Sequence, residues 1–359
     1  MIVYGILLAF TLVLYLFLVC VMRYKKRSVD KIVVSFFFIS YLILLSLRDI
    51  SVGVDLPKYI DSFHYFSFLK WNELAGFDQK ENEIGFLILN KILAYTKSDR
   101  LFIITFATLA VLPIMYLYVK ESEGAFFCIS FFTISLLFDL IFSGLRQCVA
   151  IALVVPAFYC IKYKKIFLFL FVVALAYTFH YSAVLLLLLY PLQFFRVKNK
   201  HLLIIILLFS FAWIYRLFLI DNLFIFLERI DSSYYHMYYY LNGMSSQGML
   251  ALLFILLALY SFVVLDEKKA NQDDYYFRNI MLLAVFLHLF TVINPTFVRM
   301  NYYFILFIPI VITRANNRCH DSFAGLTSFA SFIMSSFFLY HFLYSSDNTL
   351  QFHNYIFFW

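Results

Sequence analysis

The stretch 32–47, IVVSFFFISYLILLSL, runs directly into 48–59, RDISVGVDLPKY. Its first part holds sixteen residues without a charge, which is typical of a helix surrounded by hydrocarbon. A helix through this part would bring Arg48, Asp55 and Tyr59 to the boundary between hydrocarbon and water. The stretch therefore predicts a membrane helix that ends in a polar loop.

The composition of the whole chain agrees with this prediction. Its 359 residues are 64% hydrophobic and only 14% charged, and the mean hydropathy is +0.87. Soluble domains are about 45–50% apolar and about 25% charged. Apolar runs long enough to cross a hydrocarbon core of roughly 30 Å recur from end to end. The sequence predicts an all-α, polytopic integral membrane protein of about twelve transmembrane helices, built as one helical domain over residues 1–359.

The basic residues indicate how the chain is oriented. They give a net charge of +7, but they lie in short clusters between apolar runs, such as 23–27, 162–165 and 196–200. This is the positive-inside pattern of a membrane protein, and it argues against nucleic acid as a partner. With these clusters inside, two larger extracytoplasmic segments are predicted, at about 48–100 and 221–246.

Two further segments and the cysteines have simpler interpretations. The apolar run 84–95 is too short to span, so it predicts a helix that lies at the outer interface or dips into the protein. The tyrosine-rich run 234–240 is more typical of an interfacial aromatic belt than of a sugar-binding surface. The five cysteines have no paired spacing and are expected to be small buried hydrophobic residues. No metal site and no cofactor are predicted.

In this topology, several ionisable residues fall at the outer ends of helices or just beyond them: Arg48, Asp55, Glu83, Arg146, His180 and Arg299. Each arginine alone has an equally good interpretation as an interfacial anchor. Their convergence on one side of the membrane indicates a site. Arginine is suited to a multiply charged anion because its planar guanidinium donates bidentate hydrogen bonds and stays protonated. In a membrane, we expect that anion to be a lipid-linked phosphate or pyrophosphate.

The roles of the remaining groups stay open at the level of sequence. Asp55 and Glu83 either pair with arginines to hold the outer loops, or one of them takes a proton from an acceptor hydroxyl. His180 is a third candidate base, but the nearby Ser182 hydroxyl could equally satisfy it. Gly53 would let backbone N–H groups approach an anion closely.

These residues belong to motifs that resemble the EpsG/Wzy-type family of bacterial exopolysaccharide and O-antigen polymerases. The motifs occur in family order between about residues 40 and 305. They are Arg48 with Gly53-Val-Asp55 and Tyr59, Glu83-Ile-Gly85-Phe86, Leu145-Arg146-Gln147 with Ala150, Phe179-His180-Tyr-Ser182-Ala183, and Arg299 followed by Tyr302-Tyr303.

The resemblance implies a multi-pass enzyme of the bacterial inner membrane that acts at its periplasmic face. Oligosaccharide units carried on undecaprenyl pyrophosphate would serve as both donor and acceptor, and a chain-length regulator and a flippase would be possible partners. The implied roles are pyrophosphate binding by Arg48, Arg146 and Arg299, proton abstraction by Asp55, Glu83 or His180, and support by Gly53, Tyr59, Gln147, Ser182 and Tyr303.

Three alternatives remain. A lipid-linked oligosaccharide flippase should carry polar residues along a cavity to both faces and show two repeated halves. A membrane O-acyltransferase would also use a histidine, but its acyl donor usually comes from the cytoplasm, whereas His180 is predicted outside. A purely structural membrane subunit is the third.

Overall fold

The computed structural model describes residues 2–22, 25–74, 83–135, 137–229, 248–293, 296–344 and 355–357. Within these ranges every named element is helical, so the predicted all-α fold is confirmed. In chain order the α-helices are α1 (Ile2–Leu16), α2 (Lys26–Leu47), α3 (Leu56–Phe68), α4 (Trp71–Leu74), α5 (Ile84–Ala94), α6 (Asp99–Glu121), α7 (Ala125–Ile134), α8 (Leu137–Ser143), α9 (Leu145–Ala152), α10 (Val154–Lys162), α11 (Ile166–Phe179), α12 (Leu189–Leu192), α13 (Leu202–Ile214), α14 (Arg216–Glu228), α15 (Gly248–Val264), α16 (Gln272–His288), α17 (Thr296–Ile305), α18 (Ile308–Asn317) and α19 (Ala324–Tyr344).

Six of the described helical segments are long and apolar enough to cross a membrane, which agrees with a multi-pass protein. They are Ile2–Cys20, Lys26–Leu47, Asp99–Glu121, Leu145–Lys162, Phe297–Asn317 and Asp321–Leu343. Two bent pairs would raise the number to eight; they are Ala125–Ile134 with Leu137–Ser143, bent by 56°, and Asn199–Ile214 with Arg216–Phe226, bent by 69°.

The expected number of about twelve spans is therefore not confirmed. Part of the difference lies in the apolar region after α11, which does not form one continuous α-helix. There the chain forms a 3₁₀-helix, Tyr181–Leu188, followed by the single turn of α12. At these lengths neither piece crosses a bilayer alone, because an α-helix rises only about 1.5 Å per residue.

The two segments predicted to be extracytoplasmic are described in part. The first, 48–100, contains α3, α4 and α5, and its residues 75–82, including Gly76, lie outside the described ranges. The second, 221–246, contains the end of α14, while residues 230–247 with the tyrosine-rich run lie outside them. The run 84–95 forms α5, which is confirmed as a short apolar helix.

The chain divides into two compact units. The first comprises Met1–Leu187 together with Ala330–Trp359, and the second comprises Leu188–Phe329. Whether they act as the single domain predicted over residues 1–359 stays a prediction, and each unit is described by itself.

Aromatic side chains form the core of the first unit around the end of α2 and the helix α8. The Tyr41 ring stacks on Phe138 with centroids 4.5 Å apart, and Tyr4 of α1 meets Phe138 and Phe142 edge to face at 5.6 and 5.8 Å. The Tyr41 hydroxyl donates to the Phe138 carbonyl at 2.6 Å, which satisfies its polar atom. This packing fixes the backbone of α8 against α1 and α2.

Hydrogen bonds to buried carboxylates also hold helices of the first unit together. The Asp30 carboxylate of α2 accepts from the Ala125 amide at 3.1 Å, where α7 begins. Glu121, the last residue of α6, accepts from Lys162 Nζ at 2.9 Å and from the Tyr159 hydroxyl at 3.1 Å. Such bonds supply partners for charges that the bundle partly buries.

The second unit contains a buried ionic network. Arg278 is fully buried and donates to Asn199 Oδ1 at 2.9 Å and to the Ser261 carbonyl at 2.8 Å. Asp274 accepts from Arg314 Nε at 2.7 Å, and both side chains are almost inaccessible to solvent. Arg278 and Arg314 therefore hold the helices of this unit together.

Gly85 sets the closest approach between α5 and α11 in the first unit. A Cβ atom at this position would lie 2.3 Å from Thr178 Oγ1 and 2.9 Å from the Thr178 carbonyl oxygen. Because one of these atoms belongs to the backbone, a side chain here would force the two helices apart. Glycine therefore allows the start of α5 to rest beside the end of α11.

We expect Gly85→Ala to lower the free energy of unfolding by roughly 1–3 kcal/mol through this overpacking. The matched control is Gly325→Ala in α19, where an added Cβ meets no atom within 4 Å and alanine favours the helix. Thermal unfolding of both purified variants in detergent tests this. Equal midpoints for the two would contradict the close contact.

Candidate functional site

The centre of the candidate site is an ion pair between Glu83 and Arg146. Glu83 directly precedes α5 and is buried, whereas Arg146 lies in the first turn of α9. Arg146 Nη1 lies 2.5 Å from Glu83 Oε2, and the Arg146 side chain keeps 27% of its surface exposed. The structure thus brings together two residues 63 positions apart that the sequence predicted separately.

Two aromatic rings hold the guanidinium of Arg146. Its central carbon lies 5.8 Å from the centre of the Tyr59 ring and 5.5 Å from that of Phe86. The Tyr59 hydroxyl also hydrogen-bonds this guanidinium. Burial raises the pKa of the Tyr59 phenol, and the nearby Arg146 charge opposes that rise. Arg146 is therefore oriented by one carboxylate and two rings, while part of it still reaches solvent.

Asp55 lies one helical turn before Tyr59. It occupies the N-cap position of α3, where its side chain makes no capping hydrogen bond, and it is partly exposed. Within the described ranges, no ion pair of Asp55 is found. The Asp55 charge raises the pKa of the Tyr59 phenol, whereas the Arg146 charge lowers it. Asp55 is thus a partly exposed carboxylate close to Tyr59.

His180 follows the end of α11 and contacts the serine two residues later. Its Nδ1 lies 2.7 Å from Ser182 Oγ and 3.3 Å from the Ser182 amide nitrogen. The hydroxyl contact that the sequence suggested for this histidine is present. Because an amide N–H can only donate, Nδ1 must accept, and neutral His180 then carries its proton on Nε2.

The contact between Gly85 and Thr178 relates His180 to the ion pair. Thr178 lies two residues before His180, and Gly85 lies two residues after Glu83. The start of α5 and the end of α11 are therefore adjacent. The first unit thus gathers the elements that carry Asp55, Glu83, Arg146 and His180.

Arg48 lies in the same unit but is almost completely buried. Its Nη1 donates to the Phe142 carbonyl at 2.7 Å, and its guanidinium carbon lies 5.3 Å from the centre of the Phe142 ring. Burial lowers the pKa of Arg48 to about 10, so it still carries its charge at neutral pH. In this conformation Arg48 does not face solvent, and its contacts are those of a positioning residue. Its predicted direct contact with pyrophosphate stays a prediction.

Gly53 connects the Arg48 loop to the break between α8 and α9. Its φ of +114° belongs to glycine, and an added Cβ would lie 2.2 Å from the Phe142 carbonyl oxygen. The next amide, that of Val54, donates to Ser143 Oγ at 3.0 Å. The loop therefore rests on residues that lie only a few positions before Arg146.

The other predicted residues occupy different surroundings. Gln147 is buried in α9 beside Arg146. Arg299 and Tyr303 lie on α17 of the second unit, where Arg299 is exposed and Tyr303 is fully buried. These three positions keep the roles suggested by the sequence as predictions.

Arg100 and the C-terminal residues 355–357 were missed by the sequence analysis. Arg100 Nη1 donates to the carbonyls of Ser46 and Arg48, at 2.5 and 2.9 Å, and so caps the end of α2. Arg100 lies at the start of an apolar run, as Arg146 does, and this position could have marked it as a candidate. The C-terminal residues carried no motif that could have indicated their position.

The described ranges offer no group of three or more His, Cys, Asp or Glu side chains that could hold a metal ion. All five cysteines are free; four are buried as expected, whereas Cys20 is exposed. The second unit contains an apolar groove of about 750 Å³ between α13 and α15, lined by residues such as Phe209, Trp213 and Ile255. This lining offers no ionisable group for catalysis.

Comparison with protein families places this chain in a known one. The profile of the EpsG family matches residues 31–357, which is nearly the whole chain and includes every site residue described above. Comparisons with curated proteins and with solved structures found no match.

A double-mutant cycle tests whether Glu83 and Arg146 are coupled in the folded protein. We expect Glu83→Gln and Arg146→Gln to be non-additive by about 1–3 kcal/mol in the free energy of unfolding, because the charged hydrogen bond is partly buried. The cycle of Arg146→Gln with Glu121→Gln is the control, because Glu121 pairs with Lys162, sixteen residues further along the chain than Arg146; its expected coupling is below about 0.5 kcal/mol. Equal couplings in the two cycles would contradict the assigned pairing.

Proposed function

The chain belongs to the EpsG family of Wzy-type polysaccharide polymerases, and we propose that it joins lipid-linked oligosaccharide repeat units into exopolysaccharide or O-antigen. In this proposal the units are carried on undecaprenyl pyrophosphate, and the site opens to the periplasmic face of a bacterial inner membrane. Donor and acceptor are then both membrane-bound, which agrees with the apolar helices of the chain.

The observation that carries this proposal is the arrangement of Arg146. One of its nitrogens is paired with Glu83, two rings support its plane, and a quarter of the side chain is exposed. A guanidinium has five N–H donors, so an additional anion can accept from those that face solvent. We propose that this anion is the pyrophosphate of the donor. Arg146 would then stabilise the negative charge that develops on the leaving group.

The proposed reaction is a glycosyl transfer. The acceptor hydroxyl oxygen attacks the anomeric carbon of the donor sugar, the bond from that carbon to the pyrophosphate oxygen breaks, and undecaprenyl pyrophosphate leaves. The hydroxyl proton passes to a base on the protein. We propose Asp55 as this base, because it is partly exposed and has no cation paired with it among the described residues.

The two other candidate bases suit different roles. The Glu83 carboxylate is bound to Arg146, which makes it a weaker proton acceptor and an orienting group. Neutral His180 accepts at Nδ1 and therefore has an N–H at Nε2, which can donate to a phosphate oxygen. Arg299, exposed on the second unit, is proposed as a further phosphate ligand, and Arg48 as a residue that positions the Gly53 loop.

The proposed polymerase activity can be tested by analysing the glycan of cells in which Arg146 is replaced. In a strain without the wild-type gene, we expect Arg146→Ala to reduce the ladder of polymer to a single lipid-linked unit at normal protein level. Arg146→Lys should restore little, because the planar fork of donors is lost. The control is Arg27→Ala, an exposed arginine in the first turn of α2, which should leave the ladder intact.

The pattern of loss separates the proposed function from its alternatives. Lipid-linked units trapped on the inner face would indicate a flippase, and a full-length ladder with altered mobility would indicate an acyltransferase. A full ladder from Arg146→Ala would exclude the proposed role of this arginine.

A second experiment addresses the base. With purified protein and lipid-linked units, we expect Asp55→Asn to lower kcat by about 10²–10⁴-fold while KM changes little, because proton abstraction belongs to the chemical step. Asp55→Glu should retain more activity than Asp55→Asn. If Asp55→Asn turns over normally whereas Glu83→Gln does not, the base is Glu83 and the assignment to Asp55 is wrong.

A further inference from the structure

The C-terminal residues Tyr355–Phe357 lie against the end of α2 and the start of the Arg48 loop. The Asp49 amide donates to the Ile356 carbonyl at 2.8 Å, and Arg48 and Phe357 form an isolated antiparallel bridge. The Tyr355 hydroxyl donates to the Leu44 carbonyl of α2 at 2.7 Å. Residues more than 300 positions apart are thus joined by main-chain pairing and by a side-chain bond.

Aromatic contacts extend this attachment into the core. The Tyr355 ring meets Tyr4 of α1 edge to face at 6.0 Å and Phe357 at 4.9 Å. Tyr4 in turn contacts Phe142, whose carbonyl accepts from Arg48. The C-terminal residues and the Arg48 side chain therefore pack against the same aromatic group.

Because the Arg48 guanidinium is charged and buried, its position depends on the groups that surround it. Within the described ranges no carboxylate pairs with Arg48; its guanidinium donates to the Phe142 carbonyl and lies over the Phe142 ring, while its main chain pairs with Phe357. A buried charge held by neutral groups is sensitive to the loss of any one of them. Burial raises the pKa of Tyr355 to about 12, and the Arg48 and Arg100 charges oppose that rise.

We propose that Tyr355–Phe357 act as a C-terminal strap that positions the active site. The strap fixes Arg48 and Asp49, Arg48 binds the Phe142 carbonyl, and Gly53 packs on that same carbonyl. Helix α9, which begins three residues after Phe142, carries Arg146 in its first turn. The family match extends to residue 357 and so includes the strap. This inference rests on the proposed polymerase function, since it assigns the strap a role in that reaction.

Two substitutions of Tyr355 and one matched control test the strap in the full-length protein. Tyr355→Phe removes only the hydrogen bond to Leu44, and Tyr355→Ala also removes the ring packing. The control is Ile356→Ala, because this side chain is 54% exposed while its carbonyl, which pairs with Asp49, is retained. Each protein is purified and supplied with undecaprenyl-pyrophosphate-linked repeat units. Polymer yield, kcat, KM and the midpoint of thermal unfolding are measured together.

We expect Tyr355→Phe to lower kcat roughly five-fold, which corresponds to one lost hydrogen bond, with KM unchanged because the strap is proposed to position other residues and not to bind substrate. Tyr355→Ala should lower kcat more than ten-fold, and Ile356→Ala should stay within two-fold of the wild type. The midpoints of Tyr355→Phe and the wild type should agree within about 2 °C, so that the loss of turnover is not a loss of folded protein.

The possible failures are distinguishable. If the wild type polymerises and Tyr355→Ala equals it, the strap has no role in the reaction, although the proposed function stands. If the kcat of Tyr355→Phe falls only in proportion to its folded fraction, the strap is structural and the positioning role is overturned. If the wild type forms no polymer from these units, the proposed function itself is wrong.

Discussion

The hydrogen bond from buried Arg48 to the Phe142 carbonyl joins the parts of the first unit on which the candidate site depends. The guanidinium emerges from the end of α2, and the carbonyl belongs to the end of α8, just before the helix that carries Arg146. The same carbonyl oxygen leaves no room for a side chain at Gly53. One polar contact therefore sets the spacing between α2, the following loop and α9.

The apolar surroundings explain why this buried hydrogen bond contributes to the stability of the first unit. In an apolar bundle, an unpaired polar group has no water to bind, so hydrogen bonds between buried groups and partners in the protein stabilise the fold. Arg48 uses a carbonyl and aromatic rings, Arg278 uses carbonyls and an amide, and Arg314 uses Asp274. Arg146 differs from them because it is paired and yet partly exposed, which is what a ligand-binding arginine requires.

Much of the fold could be predicted from the sequence, because apolar runs and basic clusters are local patterns. The number of spans could not, because a run such as 181–192 changes from 3₁₀ to α-helix, and bends divide other runs. For the site, the sequence identified Glu83, Arg146 and Tyr59 as separate candidates. It missed Arg100 and Tyr355, because a capping arginine and a returning tail have no local signature.

The sequence by itself determined that this chain is an all-helical membrane protein and that it carries the motifs of the EpsG family, since both depend on residue type and order. Only the tertiary structure decided which arginine is buried and which is available. Arg48 and Arg146 both lie at helix ends in the sequence, but their burial depends on what packs beside them. Arg48 is buried against Phe142 and its main chain pairs with Phe357, whereas Glu83 and two rings leave Arg146 partly exposed. Such contacts between distant residues have no local sequence pattern.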